Sequence, residues 1–176
     1  KHDIQQKLPI RKKYAHKGNH GHVMIAAGSY GKMGAAVLAG KACLRAGAGM
    51  VTMHIPACGY SIIQTAFPEA MCVVDKQEIH ISAVSSTEKT TTIAIGPGIG
   101  THTATKKAVE QFLRNQTQPI VIDADALNIL AAKKSLLPLL PDNSILTPHP
   151  KEFERLAGKW KNDFERLALQ QNFSKK

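Results

Sequence analysis

The chain contains 176 residues, of which 43% are hydrophobic, so its length and composition fit one globular domain with a substantial core. A formal net charge of +10 would suit a nucleic-acid partner, but many basic residues lie near the two ends and only 5% of residues are aromatic. No basic run is interleaved with rings that stack on bases, so nucleic-acid binding is disfavoured and the charge is interpreted as solvated surface with a modest attraction for phosphates.

Cysteine usage and hydropathy indicate where the protein works. Cys43, Cys58 and Cys72 are widely separated and form no C-x-x-C pair, which disfavours a disulfide framework or structural zinc. No apolar stretch is long enough to span a bilayer, so no membrane partner is expected and a cytoplasmic location is predicted. Three early histidines are spaced like metal ligands, but no carboxylate or cysteine accompanies them and no metal site is predicted; they are His16, His20 and His22.

The first third of the chain predicts a βαβ unit. Residues 1–16 are polar and basic and are interpreted as a lead-in to the domain of residues 17–176. Val23–Ala27 is a short apolar run that suits a buried parallel strand, and Met50–Ile55 returns to strand. Between them a helix is predicted over Ala35–Ala46, and because Ala, Leu and Val dominate it, most of its surface is predicted to be covered.

The loop that opens this helix has the spacing G-x-x-G-x-x-G, through Gly28, Gly31 and Gly34. It lacks the G-x-G-x-x-G order of a dinucleotide-binding turn, so a Rossmann NAD site is disfavoured. Free backbone N–H groups at a helix N-terminus favour an anion or a polar ligand edge. The alternative is a tight turn in which the glycines serve backbone shape alone.

A second glycine loop, Gly96–Gly100 with the sequence GPGIG, follows a second strand rich in β-branched residues. The helix after it is predicted to begin with a threonine cap. The elements predicted in this part of the chain are a short helix over Ala57–Gln64, strands at Cys72–Val74 and Thr90–Ile95, and a helix over Ala104–Arg114 capped by Thr101 or Thr103.

Polar side chains follow the last two predicted strands. Ile120–Ile122 ends in Asp123-Ala124-Asp125, and Ser144–Leu146 is followed by Thr147-Pro148-His149-Pro150. The two prolines are predicted to hold the histidine loop extended until Glu152. Helix capping or solvent exposure is the alternative for the aspartates, and an ordinary loop histidine is the alternative for His149. Further helices are predicted over Leu127–Ala132, Phe153–Leu156 and Phe164–Leu169.

These four segments are expected to meet. In a parallel sheet the carboxyl ends of neighbouring strands point the same way, and α/β sheets bind their ligands at that edge. The glycine loops, the aspartates and the histidine are therefore predicted to form one site.

Four ordered blocks carry a resemblance to a known family: HKGNHGHVMIAAGSYGKMGAAVLAGKACLRAGAGMVT, IAIGPGIG, VIDADAL and ILTPHPKEFERLAG. Together they resemble the ADP/ATP-dependent (S)-NAD(P)H-hydrate dehydratases, the carbohydrate-kinase-like domain of bacterial nicotinamide nucleotide repair proteins. The resemblance implies an α/β, ribokinase-like fold, with a mostly parallel sheet and helices on both faces in three αβα layers.

The resemblance also implies an activity, a hydro-lyase reaction that repairs a damaged cofactor. A nucleotide, ADP in most bacterial members and ATP in eukaryotic ones, with Mg²⁺, phosphorylates the ring hydroxyl of hydrated NADH or NADPH. Phosphate then leaves and the ring double bond re-forms. The implied partners are an NAD(P)H-hydrate epimerase, fused or separate, and further copies of the chain in a homo-oligomer, with a tetramer among the possible assemblies.

Site residues follow from the matching motifs. Ala35 of the GAA step, Gly100 of GPGIG and His149 of TPHP match family positions that contact the hydrated cofactor. Small residues would let the nicotinamide and ribose approach the backbone, and His149 can hydrogen-bond a hydroxyl or a phosphate. The expected neighbours in the substrate site are Gly34, Gly98, Asp123, Asp125, Asn128 and Glu152.

The sequence departs from the family in one respect. The resemblance implies a lysine-glycine strand and a G-x-G-D helix start, which carry the adenine nucleotide and the catalytic aspartate, and after Gly100 there is no further G-x-G. The catalytic aspartate is therefore expected beyond Lys176. Residues 17–176 are predicted to be the N-terminal portion of the domain, with no catalytic residue and no turnover alone. The alternatives are a small-molecule kinase of the same fold and a non-catalytic binding module.

Overall fold

The protein is described by a computed structural model that covers residues 13–85 and 90–175. Most of the predicted basic lead-in lies outside the described residues. Lys176 also lies outside them. The expectation of a catalytic aspartate beyond Lys176 stays a prediction.

Six strands form one sheet in the described part of the chain, and every neighbouring pair is parallel. The strands are β1 (His22–Ala26), β2 (Met50–Ile55), β3 (Met71–Val74), β4 (Thr92–Ile95), β5 (Ile120–Ile122) and β6 (Ile145–Leu146).

Helices connect these strands and continue after the last one. Short 3₁₀ helices occur at Lys17–His20, Ala57–Gly59 and Lys134–Leu139. The α-helices are α1 (Met33–Arg45), α2 (Tyr60–Ala66), α3 (Thr103–Asn115), α4 (Ala124–Ala132), α5 (Pro150–Ala157) and α6 (Asp163–Phe173). None of the helices in the described ranges is both long enough and apolar enough to cross a bilayer.

The strand order is β3-β2-β1-β4-β5-β6, so the chain changes direction across the sheet between β1 and β4. In open α/β sheets this switch point is where the connections separate to opposite faces and leave a crevice at the carboxyl ends of the strands. The loops after β1 and β4 are the two glycine loops. Topology therefore brings together the segments that the sequence predicts to form a site.

Each face of the sheet carries its own apolar core. On one face, Ile25 and Met53 of the strands pack with Met33 and Ala36 of α1 and with Phe67 after α2. The opposite face packs against α3, α4 and α5 through a larger cluster that includes Ile95, Ile122, Phe112, Leu127 and Leu156. Helices thus lie on both faces of the sheet, which confirms the predicted fold class.

The prediction for the histidine loop is wrong in one respect: α5 begins at Pro150, two residues before Glu152. Proline fits the first position of a helix because its ring presets φ and its missing N–H would be unpaired there anyway. His149 is the cap of this helix and has extended backbone (φ −71°, ψ 167°). The loop is therefore extended only as far as His149.

Two other helix starts also differ from the predictions. α3 is capped by His102, whose Nδ1 accepts a hydrogen bond from the Ala104 N–H at 3.3 Å, and not by Thr101 or Thr103. α4 begins at Ala124, three residues earlier than predicted, because the chain turns directly from β5 into the helix. Local helix signals do not resolve these starts, since cap geometry depends on the neighbouring loops.

The prediction that most of α1 is covered holds for nine of its thirteen residues, which are buried or half-buried, while four residues form an exposed stripe. Gly34 is exposed, and Leu38, one turn further along, is 72% exposed. On the same face of the sheet, Ile145 of the edge strand β6 is 58% exposed. The described part of the chain covers this face over β1 to β3 and leaves Ile145 open to solvent.

Candidate functional site

The two glycine loops are hydrogen-bonded to each other at the switch point. The Gly28 N–H donates to the Pro97 carbonyl oxygen at 2.8 Å, and the Ser29 hydroxyl donates to the Gly98 carbonyl oxygen at 2.7 Å. Gly28 has a φ of 86°, which glycine adopts without the strain that a side chain would add. The loops after β1 and β4 therefore form one continuous surface.

Gly98 packs closely against the start of α1. A Cβ at this position would lie 2.9 Å from the Lys32 carbonyl oxygen and 3.0 Å from the Ala35 Cβ, and its φ is 68°. In contrast, a Cβ at Gly31 or Gly34 would meet no described atom within 4 Å. The glycines thus divide into those that allow the loops to pack and those that leave open space beside α1.

The Asp-Ala-Asp segment contacts both glycine loops. The Asp125 Oδ2 accepts hydrogen bonds from the Gly100 N–H at 2.9 Å and from the Lys32 Nζ at 3.2 Å. A Cβ on Gly96 would collide with the Asp123 carbonyl oxygen, so the loop after β4 also rests directly on the segment after β5.

Ala124 separates the two aspartates and has a φ of 48°, in the left-handed region that non-glycine residues enter at a cost of about 1–2 kcal/mol. Such strain often marks a functional segment. The Asp123 Oδ1 accepts a hydrogen bond from the Thr147 hydroxyl at 2.9 Å, which links the segment after β5 to the loop after β6. The predicted convergence of four loops at one edge of the sheet is therefore present.

His149 is engaged by its own helix. Its Nδ1 accepts a hydrogen bond from the Lys151 N–H at 3.2 Å, so Nε2 carries the proton and lies 3.2 Å from the Glu152 Oε1. The Glu152 Oε2 in turn accepts a hydrogen bond from the His149 backbone N–H at 3.0 Å. Glu152 is buried, whereas the His149 side chain is 56% exposed.

Asn128 lies farther along α4 and is bonded away from the glycine loops. Its Oδ1 accepts a hydrogen bond from the Arg155 guanidinium of α5 at 2.7 Å. This bond ties α4 to the helix that His149 caps. Asn128 and Glu152 therefore support the surrounding helices, while Ala35, Gly98, Gly100 and Asp125 lie together where the loops after β1, β4 and β5 meet.

Residues 76–85 form a wall beside the first glycine loop. The Tyr30 N–H donates to the Ile79 carbonyl oxygen at 2.9 Å, and Tyr30 is 75% exposed. The wall is held by Asp75, whose carboxylate accepts hydrogen bonds from the backbone N–H groups of Gln77, Ser82 and Ala83 and from the Ser82 hydroxyl. Burial raises the pKa of Asp75, but these hydrogen bonds outweigh it and the pKa is lowered overall.

A buried histidine lies beside this carboxylate. His54, near the end of β2, is 3% exposed, and its Nε2 is 3.6 Å from the Asp75 Oδ2. Neither ring nitrogen of His54 has a hydrogen-bond partner within the described residues. Burial lowers the pKa of His54 by penalising its charged form, and the Asp75 charge only partly opposes this effect.

Sequence reasoning missed three residues of this arrangement, namely Lys32, Ser29 and Thr147. Lys32 and Ser29 lie inside the glycine loop, and Thr147 begins the TPHP block, so the motifs themselves included them. Their partners lie on other loops, which is why only the structure identifies their contacts. In the described ranges, no group of three His, Cys, Asp or Glu side chains is arranged to hold a metal ion.

Glycine loops at the switch point of a six-stranded parallel sheet, with carboxylates beside them, define the class of protein: an α/β protein with a candidate ligand site at the carboxyl edge of its sheet. A ribokinase-like superfamily protein from Enterococcus faecalis V583 superposes with a TM-score of 0.80 over 98% of this chain and 62% of that one; at 22% identity this likeness shows the fold alone. A family model described as NAD(P)H-hydrate dehydratase matches residues 23–176, and the chain belongs to that family. The resemblance predicted from the four sequence blocks is confirmed.

Individual relatives agree with this assignment. A bifunctional NAD(P)H-hydrate repair enzyme of Coxiella burnetii is 37% identical over 172 residues, covering 93% of this chain and 32% of that protein. The ADP-dependent (S)-NAD(P)H-hydrate dehydratase of Staphylococcus aureus is 35% identical over 86% of this chain and 54% of that protein. The ADP/ATP-dependent NAD(P)H-hydrate dehydratase of Bacillus subtilis, co-crystallised with ATP/Mg²⁺, superposes with a TM-score of 0.66 at 30% identity, over 89% of this chain and 54% of that one. The chain thus spans about half the length of the latter two proteins.

Proposed function

We propose that this chain is the substrate-binding portion of an ADP- or ATP-dependent (S)-NAD(P)H-hydrate dehydratase. The observation that carries the proposal is the convergence of the loops after β1, β4 and β5, where Gly98 packs on Ala35 and Gly100 bonds Asp125. The family membership and the names of the relatives support the choice of hydrated NADH or NADPH as substrate. Residues 17–176 would be the N-terminal portion of the domain.

The substrate would lie along the open side of the glycine loops. Gly34 leaves space there, and the small side chain of Ala35 and the backbone of Gly100 allow a flat nicotinamide ring and its ribose to approach closely. The His149 side chain is more than half exposed, so a substrate can reach its Nε2–H group. On binding, this group would donate its hydrogen bond to a substrate hydroxyl or phosphate in place of Glu152. Asp123 would remain bonded to Thr147 and fix the loop beside the ring.

The proposed reaction needs a group that these residues do not supply. The nucleotide, with Mg²⁺ on its phosphates, supplies the phosphoryl group that converts the ring hydroxyl into a leaving group. The described residues contain no cluster of three metal-ligating side chains, and the sequence from Gly100 to Lys176 has no G-x-G-D, so they do not fit a complete nucleotide site. This chain's part is to bind and orient the hydrated ring, while positioning and charge stabilisation dominate phosphoryl transfer.

The proposed partners follow from the same relatives. The Coxiella burnetii relative is a bifunctional repair enzyme, which supports a partner activity that supplies the S epimer, either fused or separate. A homo-oligomer, with a tetramer among the possible assemblies, and a cytoplasmic location complete the proposal. The support for self-association is the edge strand β6, whose Ile145 is 58% exposed.

Calorimetric titration of the chain with the S epimer of hydrated NADH tests the proposal. We expect binding by the chain, no recovery of NADH absorbance when ADP or ATP with Mg²⁺ is added, and recovery when the natural full-length gene product replaces the chain. Failure of the chain to bind the hydrated cofactor contradicts the proposal. Accumulation of a stable phosphorylated product in place of NADH would identify a kinase.

A further inference from the structure

Lys32 joins three loops of the site through a single carboxylate oxygen. It lies at the N-terminal boundary of α1, and its Nζ crosses the switch point to within 3.2 Å of the Asp125 Oδ2. The same oxygen accepts the hydrogen bond of the Gly100 N–H at 2.9 Å. The ammonium of the loop after β1, the amide of the loop after β4 and the carboxylate after β5 are thus fixed to one another.

The stability of the fold does not account for this ion pair. The Lys32 side chain is 53% exposed and that of Asp125 is 20% exposed, and exposed ion pairs contribute little to folding. The Lys32 backbone is held without its side chain, because its N–H donates to the Ser29 carbonyl oxygen at 2.8 Å and its carbonyl oxygen accepts from the Ala35 N–H at 3.2 Å. The backbone of this loop is therefore held in place without the Lys32 ammonium group.

We propose that Lys32 is a positioning residue that acts through Asp125. It holds the carboxylate against the Gly100 amide and so fixes the loop after β4 relative to the start of α1. It also cancels the negative charge of Asp125, which would otherwise repel the phosphates of a dinucleotide placed beside it. This inference rests on the proposed function, because it concerns the binding of hydrated NADH at the same site.

The test compares affinities for hydrated NADH by calorimetric titration. We expect Lys32→Met to weaken binding by about tenfold, a typical coupling for residues in direct contact, and Lys32→Arg to restore most of the affinity because it keeps the charge. Lys41→Met, on the same helix but farther from the loops, is the matched control and should bind like the unaltered chain. The thermal midpoint should not change in any of these variants.

A double-mutant cycle separates positioning from direct contact. If Lys32 acts through Asp125, Lys32→Met should add little to the loss already caused by Asp125→Asn. Two fully additive losses would overturn the inference in favour of direct contact with the ligand. The Gly100 amide resonance in the ligand-free chain should shift in Lys32→Met and stay in place in Lys41→Met.

The two proposals fail in different ways. If the unaltered chain binds hydrated NADH and Lys32→Met binds it equally well, the role of Lys32 is overturned and the proposed function stands. If the unaltered chain does not bind the hydrated cofactor, the proposed function fails, and the role of Lys32 in substrate binding fails with it.

Discussion

The His149 ring caps α5 in addition to its proposed contact with substrate. Sequence reasoning predicted a histidine held between prolines at the edge of the sheet, and the structure places it there. It did not predict that Nδ1 would cap the helix, because capping depends on the backbone geometry of the next three residues. Loss of the ring therefore has two effects, on stability and on binding, and they need to be measured apart.

Substitution of His149 by two residues of different capping strength separates these effects. His149→Ala should lower the free energy of unfolding by about 1 kcal/mol, whereas His149→Asn should retain the cap and most of the stability. Both should weaken the binding of hydrated NADH, because both remove Nε2. Urea unfolding and calorimetric titration measure the two quantities.

Asn162→Ala is the control for His149, because Asn162 caps α6 by accepting a hydrogen bond from the Glu165 N–H at 2.9 Å. It should lower stability by a similar amount and leave the affinity unchanged. Full affinity in His149→Asn would show that the ring has a capping role only.

Substitution of Gly34 should change stability and binding in opposite directions. It lies in the first turn of α1, and an added Cβ would meet no described atom within 4 Å. Gly34→Ala should therefore raise the free energy of unfolding by about 0.5 kcal/mol, because alanine favours the helix. The methyl group would occupy the space assigned to substrate, so binding of hydrated NADH should weaken.

Thermal unfolding and titration of Gly34→Ala check both signs. Ala42→Gly, at an exposed position of the same helix, is the control and should lower stability without affecting binding. Unchanged affinity in Gly34→Ala would mean that the substrate does not lie over the start of α1.

At the scale of elements, apolar runs predicted the strands that build the sheet, and glycine loops predicted where α1 and α3 follow them. Residues 76–85 could not be predicted, because they show no helical or strand period and are held by the Asp75 carboxylate. Side-chain bonds of this kind leave no repeating pattern in the sequence. The position of residues 76–85 beside the glycine loop was therefore not predicted, although Asp75 can be read directly from the sequence.

Asp75→Ala tests whether the Asp75 carboxylate holds residues 76–85 in place. The substitution leaves the N–H groups of Gln77, Ser82 and Ala83 without their acceptor, so the free energy of unfolding should fall by about 3 kcal/mol. Hydrogen exchange should accelerate most at the Ser82 and Ala83 amides. Uniform acceleration across the whole sheet would instead indicate global destabilisation, without a separate role for this segment.

The buried His54 makes stability depend on pH. Because burial lowers the pKa of His54 in the folded state, the unfolded chain takes up a proton first as the pH falls. The free energy of unfolding should therefore decrease as the pH drops below about 6.5, the ordinary value for histidine, down to the lowered pKa of the folded state. The pKa of Asp75 is lowered in the folded state, so its carboxylate stabilises the fold at pH values above its ordinary pKa. This stabilisation is lost as the pH falls through the lowered pKa of the folded state.

Urea unfolding between about pH 7.5 and pH 5 measures the contribution of His54 over the window set by the ordinary histidine pKa. His54→Gln should flatten the slope in this window. A slope unaffected by His54→Gln would assign the pH dependence to other groups.

At the scale of the whole molecule, the sequence predicted a parallel sheet with helices on both faces, but not how unevenly they cover it. The runs of Ala, Leu and Val in α1 predicted that most of the helix is covered, and most of it is, yet Leu38 lies open, as does Ile145 on the same side of the sheet. Hydrophobicity identifies what an element prefers to bury; it does not reveal whether a neighbour is present to cover it.

Substitution of the edge strand tests whether this surface drives self-association. Ile145→Thr should change the free energy of unfolding by less than about 0.5 kcal/mol, because the residue is 58% exposed, and should lower the apparent mass in sedimentation. Ile122→Thr, at a 1% exposed position of the neighbouring strand, should destabilise the chain by about 2 kcal/mol or more. An unchanged sedimentation profile in Ile145→Thr would place any self-association elsewhere.

The pairing of β1 with β4 also sets an order in which the site can be completed during synthesis. Ser29 and Gly98, which join the two glycine loops, are 69 positions apart, and β2 and β3 lie between them in the chain. A nascent polypeptide that stops before Thr92 thus contains the first loop with no second loop to close on it. Affinity for a ligand at this edge of the sheet would therefore arise only after β4 has left the ribosome and docked beside β1, and the contributions of Asp125 and His149 would follow later still.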